Sequence, residues 1–237
     1  MRAFTAVVVG LAMMVMAASA QASLVTLTDT SALDTSMANP DGTITGGFAI
    51  HFDSTADVSV KGLNFQNDNR MSSGAYTFAN ANTGPGHLYG GNSGRCAAVT
   101  GTDGAAMNTV LNDMVFSWAG GYQSYTFANQ FVVGQTYNVQ FICTVPGAQW
   151  GDIDVNFDIL DASLNANAHE ANLVSNGVNG FIISETFTAT STDETFKLST
   201  NAGYGEAAGI VVNPVPEPAT MSLLALGGLG ALIRRRK

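Results

Sequence analysis

The sequence predicts an all-β protein, built as an antiparallel two-sheet β-sandwich of the jelly-roll kind. Apolar residues recur with period two along much of the chain, whereas helical periodicity is scarce. Turns rich in Gly, Asn, Asp and Ser separate many of these runs. About ten short strands in one domain are typical of a sandwich, and a closed barrel is the alternative.

The clearest strand is predicted at 136–144, where Tyr137, Val139 and Phe141 share one face and polar residues occupy the other. Segment 153–159 alternates equally well, with acidic and amide residues between its apolar ones. One helix is predicted, at 105–114. The other predicted strands are 24–28, 43–52, 75–79, 115–118, 123–128, 181–190, 195–200 and 207–212.

A change of phase interrupts the alternation around residue 62. Val58 and Val60 point one way, but Leu63 and Phe65 are out of phase with them, and Gly62 lies at the change. An extra residue in one strand produces such a slip, so the pattern predicts a β-bulge.

The N-terminus, residues 1–22, has the three parts of a secretory signal peptide. Arg2 supplies the positive start, an apolar run follows at 6–17, and Ala20 and Ala22 fit a small-residue cleavage site. The apolar run is about 12 residues long against the ~20 needed to span a bilayer. Cleavage after Ala22 is therefore expected, and an uncleaved anchor is the alternative.

The C-terminus, residues 213–237, is predicted to be a linker followed by an apolar helix. Prolines at 214, 216 and 218 disfavour helix, so 213–218 should be extended. The uncharged segment 219–233 would form a helix of only ~22 Å, a marginal transmembrane anchor for a ~30 Å hydrocarbon core. The cations at 234–237 favour the cytoplasmic side and place the preceding domain outside the membrane.

The order of these features closely resembles the PEP-CTERM sorting signal of bacteria that make an extracellular polysaccharide matrix. The resemblance is carried by Pro216, Glu217 and Pro218, by the apolar segment, and by the terminal basic cluster Arg234, Arg235, Arg236 and Lys237. It implies export by the secretion machinery across the inner membrane and transient anchoring. An exosortase, a membrane-embedded cysteine protease, would then remove the tail and leave the product at the cell surface or in the matrix. A permanently retained anchor is the alternative.

The segment between the two sorting signals, 23–212, is long enough for one domain with a sizeable core. From residue 23 to residue 214 there are four basic and seventeen acidic residues, so the formal charge is near −13. Nucleic acid and anionic lipid are therefore poor partners for this domain.

The two cysteines, Cys96 and Cys143, both fall in the exported part, where a disulfide can form. Two free thiols are the alternative. The cysteines and the three scattered histidines lack the close spacing of a zinc site.

Three aspartates, Asp152, Asp154 and Asp158, recur on one face of a predicted strand and form a candidate calcium site. A solvated strand face is the alternative explanation. No Gly-x-Ser-x-Gly nucleophile elbow or phosphate-binding loop occurs in the chain. Two acids that meet only in space remain an option for glycoside hydrolysis.

Trp150 and Tyr122 lie beside predicted turns and are candidates for stacking on sugar rings. Segment 131–141, with segments 185–190 and 195–198, resembles strands of carbohydrate-binding and malectin-like jelly rolls. We therefore expect a non-catalytic structural or adhesive surface protein that binds polysaccharide. The alternative is a secreted polysaccharide-active enzyme, a glycoside hydrolase or lyase.

Overall fold

The computed structural model describes residues 22–52, 56–67, 76–80, 88–89, 96–112, 114–117, 122–144, 153–161, 171–175, 179–202 and 205–216. The described chain is mostly strand, with one helix, α1 (Gly104–Asn112). The strands are β1 (Ser23–Thr26), β2 (Phe48–His51), β3 (Val58–Val60), β4 (Leu63–Asn67), β5 (Tyr76–Asn80), β6 (Leu88–Tyr89), β7 (Met114–Ser117), β8 (Tyr122–Phe127), β9 (Thr136–Cys143), β10 (Ile153–Asp161), β11 (Ala171–Ser175), β12 (Phe181–Thr188), β13 (Glu194–Ala202) and β14 (Gly205–Pro214).

The strands form two sheets, which confirms the predicted β-sandwich. The nine-stranded sheet has the order β1-β12-β9-β14-β2-β4-β3, with β7 also pairing β14 and β6 pairing β7. The five-stranded sheet has the order β11-β10-β13-β8-β5, and no closed barrel forms among the described strands. The named strands pair antiparallel, as predicted, except β2 and β4, which run parallel. Their connection contains β3, so the chain can return in the same direction.

An aromatic core fills the space between the two sheets. Phe52 stacks on Tyr125 of the opposite sheet with ring centroids 4.5 Å apart. Phe196 of β13 lies 5.9 Å from Phe141 of β9. All four rings are buried, and alternation along each strand directs them inward. Period two in the sequence thus identifies the residues that hold the sheets together.

A second core covers the outer face of the nine-stranded sheet. Apolar residues there, such as Ile142 and Ile182, pack beneath α1 and the N-terminal segment that contains Leu27 and Leu33. One face of the helix is buried, as in an amphipathic helix: Val110 and Leu111 follow Met107 by three and four residues, and all three are buried.

The phase change at residue 62 is a hairpin turn, so the predicted β-bulge is wrong. Lys61 and Gly62 have φ of 51° and 77° and join β3 to β4, which pair in antiparallel register. Two successive positive φ values are characteristic of the tight hairpin turn that matches strand twist. Both a turn and a bulge change the phase of alternation in the sequence. The pairing of Val60 with Leu63 shows that the change here is a turn between two strands.

The predicted helix is confirmed at 104–112, whereas the strands β6 and β11 were not predicted. Strand β14 extends to Pro214, two residues past the predicted domain boundary at 212, and Asn213 is buried. Proline is tolerated there because the next residue, Val215, supplies the N–H that bonds to Thr136 O in the neighbouring chain segment.

Residues 1–21 of the predicted signal peptide and the predicted apolar helix at 219–233 lie outside the described residues. Within the described part of the chain, no helix has the length and apolarity needed to cross a membrane.

Candidate functional site

The outer face of the five-stranded sheet carries polar side chains, in contrast to the covered outer face of the other sheet. Along β8, the side chains of Tyr125 and Phe127 are buried in the core, while the alternate residues are half-buried. Strand β13 likewise buries Phe196 and Leu198. The alternate positions form what we call the polar face: Tyr122, Ser124 and Thr126 of β8 with Thr195, Lys197 and Ser199 of β13.

Tyr122 is the aromatic residue of the polar face whose environment is defined. Its side chain is half-buried, and the Lys197 ammonium lies 4.9 Å from the centroid of its ring. This is within cation–π range, so the lysine helps to fix the ring. Lys197 pairs across the strands with Ser124, and Tyr122 pairs with Ser199. The ring therefore stands at one end of a polar row.

Hydroxyl groups continue the polar face toward the other end of the two strands. The hydroxyl oxygens of Thr126 and Thr195 lie 2.8 Å apart and form a hydrogen bond across the strands. Thr195 is buried and Thr126 half-buried, which keeps this pair well positioned. Each hydroxyl can both donate and accept, so the half-buried Thr126 retains capacity for a polar ligand.

Strand register adds acidic and amide residues from β10. Lys197 pairs with Asp158, and Ser199 pairs with Asn156. Asp154 is two positions further along β10, beyond a register shift between Asp154 and Val155. The structure thus places Tyr122 on β8 and Asp154 and Asp158 on β10, the two strands that flank β13 in one sheet, although they were predicted as separate sites.

Sequence analysis missed Lys197, Thr126 and Ser199 as site residues. Their signal was available in the alternation of 195–199, where polar residues flank buried Phe196 and Leu198. The sequence did not reveal that β13 pairs with β8, because strands that are neighbours in the sheet but distant in the chain leave no local pattern.

The calcium and tryptophan hypotheses depend on residues outside the described part. Asp152 and Trp150 both lie there. Among the described residues, no group of three or more His, Cys, Asp or Glu is placed to hold a metal ion. The calcium site at Asp152, Asp154 and Asp158 therefore stays a prediction.

No disulfide joins the two cysteines here. Cys96 is half-buried and Cys143 is buried. The hydroxyl of Thr144, the residue after Cys143, donates to Cys96 Sγ at 3.4 Å. The disulfide stays a prediction, and mass analysis after alkylation without reductant would count the thiols.

The buried acid Glu194 has a structural role away from the polar face. Its Oε1 accepts hydrogen bonds from the backbone N–H groups of Thr190 and Ser191, at 2.8 and 3.1 Å. These bonds close the turn between β12 and β13, because a buried carboxylate must be satisfied by donors.

Comparison with known proteins supports the sorting signal and the fold. Residues 214–237 match the PEP-CTERM protein-sorting motif, which confirms the resemblance seen in the sequence. Such a motif implies export and sorting by an exosortase to the cell surface or the extracellular space. No protein of curated function is significantly similar in sequence to this chain.

Solved structures with a similar fold include carbohydrate-related domains. Bacteroides uniformis β-glucuronidase 2 aligns with a TM-score of 0.50 and 11% identity, over 72% of this chain and 18% of the enzyme. The CBM22-1 xylan-binding domain of Paenibacillus barcinonensis Xyn10C aligns with a TM-score of 0.42 and 8% identity, over 61% of this chain and 88% of that domain. The alignment with the β-glucuronidase covers only a small part of that enzyme, so the likeness concerns the fold of one of its parts.

Proposed function

We propose that the protein is a non-catalytic, exosortase-sorted component of the cell surface or extracellular matrix that binds polysaccharide on its polar face. The observation that carries the proposal is the half-buried Tyr122, fixed by Lys197 beside rows of hydroxyl-bearing residues. Architecture alone does not define a ligand, so the proposal rests on these residues.

The chemistry of the polar face suits sugars. A tyrosine ring offers a flat apolar surface to the C–H face of a sugar ring, with its hydroxyl at the wet edge. Ser124, Thr126 and Ser199 supply hydroxyls that can donate and accept, as sugar hydroxyls do. Because the domain is strongly acidic, neutral polysaccharides are favoured over anionic ones.

Binding and turnover are separated by testing the exported chain on a glycan array and in a hydrolysis assay with the same glycans. We expect binding without product formation. Tyr122→Ala should weaken binding roughly tenfold, because it removes the stacking surface. Turnover of a bound glycan would contradict the non-catalytic assignment.

Lysines on the two sheets provide a matched pair of variants. Lys197→Met should weaken glycan binding, since it removes the cation beside Tyr122. Lys61→Met is the control, because Lys61 lies in the β3–β4 turn and its Nζ donates to Leu33 O at 3.0 Å. Equal losses of binding in both variants would place the ligand elsewhere.

The proposed route to the surface is signal-peptide cleavage, transient anchoring by the apolar segment 219–233, and removal of the tail by the exosortase. Replacing Pro216, Glu217 and Pro218 with alanine should spare membrane insertion and block trimming. Intact mass and membrane fraction in a host with an exosortase provide the measurement. Normal trimming of the alanine variant would contradict recognition of this motif.

A further inference from the structure

An exposed apolar turn stands beside the place where the described chain ends. Among the described side chains, the exposed large apolar ones are Val132 (66% exposed), Val133 (59%) and Val25 (44%). Two of the three are adjacent, in the turn 131–135 before β9, which we call the valine turn. Adjacent exposed apolar side chains are typical of surfaces that contact a partner or a membrane.

The valine turn is held rigidly in this exposed position. Val132 N–H donates to the Tyr137 hydroxyl at 2.9 Å, and Gln135 N–H donates to Val132 O at 3.0 Å. Gly134 has a φ of 86°, as the third residue of a type II turn requires, and its N–H donates to Ala189 O at 2.9 Å. The two valines are therefore presented outward by a fixed framework.

The same framework binds the start of the C-terminal tail. Gln135 Nε2 donates to Val215 O at 2.7 Å, and Val215 N–H donates to Thr136 O at 2.8 Å. Pro216 follows, exposed, and the uncharged segment 219–233 begins three residues later. Three residues reach about 10 Å at most when fully extended. The valine turn therefore lies within a short tether of the segment proposed to enter the membrane.

The charge at this end of the domain differs from that of the rest. Glu194 and Glu217 lie just outside residues 128–136, 188–193 and 213–216, the ranges that hold the turn and its hydrogen-bonded neighbours, and Glu194 is buried. Within these ranges the charged residue is Asp193. Its carboxylate accepts the Asn129 N–H at 2.7 Å. The domain as a whole carries a charge near −13, and little of it lies in these ranges, which favours approach of this end to a lipid surface.

We propose that the valine turn contacts the lipid surface of the membrane that the tail enters, and so orients the domain before the tail is removed. The inference rests on the proposed membrane insertion of segment 219–233. Tethering raises the local concentration of lipid around the turn, so that a contact too weak to bind a free domain becomes populated. Processing would then release the domain from this orientation.

The test uses the exported chain with its tail intact, prepared from a host without an exosortase and reconstituted into phosphatidylcholine vesicles. A photoreactive diazirine amino acid replaces Val133, or replaces Val25 as the matched control. Val25 is also an exposed valine, but it pairs with Ile182 near the opposite end of β12. We expect severalfold more lipid adducts by mass spectrometry at position 133 than at position 25.

Flotation of the vesicles separates failure of this inference from failure of the proposed anchoring. Chain that does not float shows that the tail is not inserted, which overturns both. Floating chain with equal adduct yields at the two positions overturns only the lipid contact, as does crosslinking of position 133 to a second copy instead of lipid. A flexible Gly/Ser spacer after Pro216 should lower the yield at 133, and an unchanged yield would contradict the role of the short tether.

Discussion

The outer faces of the two sheets differ: one is apolar and covered by other parts of the chain, and the other carries polar side chains. The nine-stranded sheet places Ile142, Ile182 and Val211 outward and buries them beneath α1 and the N-terminal segment. The five-stranded sheet places Tyr122, Lys197 and hydroxyl-bearing residues at the equivalent alternate positions, and most of these are half-buried. A covered apolar face contributes stability, whereas a polar face with organised donors and acceptors is available for a ligand. The contrast predicts that substitutions on the covered face will lower the stability of the fold, whereas those on the polar face will weaken ligand binding.

The largest effect is expected from the covered face. Leu27 is fully buried there, so Leu27→Ala should reduce the free energy of unfolding by about 2–5 kcal/mol through lost burial and a cavity. Ser124→Ala on the polar face should change it by about 0.5 kcal/mol or less. Urea unfolding of both variants measures the difference. Similar losses would show that the two faces contribute alike.

A hydrogen-bonded glutamine fastens the N-terminal segment, and its loss should be next in size. Gln140 Nε2 donates to Ala32 O and Ser184 Oγ, and its Oε1 accepts the Asp34 N–H at 2.7 Å. Gln140→Ala should cost about 1–3 kcal/mol, because it leaves buried groups unsatisfied.

The matched control for this glutamine is Thr126→Ala, which breaks a hydrogen bond on the polar face. We expect a smaller loss, about 0.5–1.5 kcal/mol. A larger loss for the threonine in the same urea series would reverse the comparison of the two faces.

A smaller effect is expected from the pair that defines the polar face. A double-mutant cycle with Tyr122→Ala and Lys197→Met should give a coupling in unfolding free energy of about 0.5–1 kcal/mol, since the cation–π contact is partly solvated. Additive effects would show that the ammonium does not fix the ring. Glycan affinity should also be measured on the same variants. We expect the affinity to fall even under conditions in which the variants remain fully folded.

The smallest effect concerns acid stability beneath the N-terminal segment. Burial would raise the pKa of Asp34, but hydrogen bonds from the Ser36 N–H and the Asn138 amide outweigh it and hold the pKa below its ordinary value of 3.8. The charged form is thus favoured in the folded state. Its contribution is present above pH 3.8 and is lost as the pH falls through the lowered pKa.

Asp34→Asn should therefore lose less stability than the wild type when the pH falls below 3.8. Thermal unfolding at neutral and acidic pH measures this. A steeper acid loss in the variant would contradict the direction of the shift.

Several features were predictable because they depend on local pattern. Alternation located most strands and indicated that Tyr137, Val139 and Phe141 share one face. A helix was predicted at 105–114, and the proline-rich end with its apolar and basic segments identified the sorting signal. Each depends on residues close together in the chain, whose geometry is set by the backbone period.

By itself, the sequence determined the fold class, the inward-facing residues and the address at the C-terminus. The tertiary structure decided which strands pair and which outer face is covered. It also placed Lys197 near Tyr122 on one neighbouring strand and opposite Asp158 on the other. It also decided that Gln135, far from the tail in sequence, holds Val215 beside two exposed valines. The physical reason is that alternation specifies a face but not a neighbour. Neighbours follow from the burial of both sheets at once, a condition that involves the whole chain.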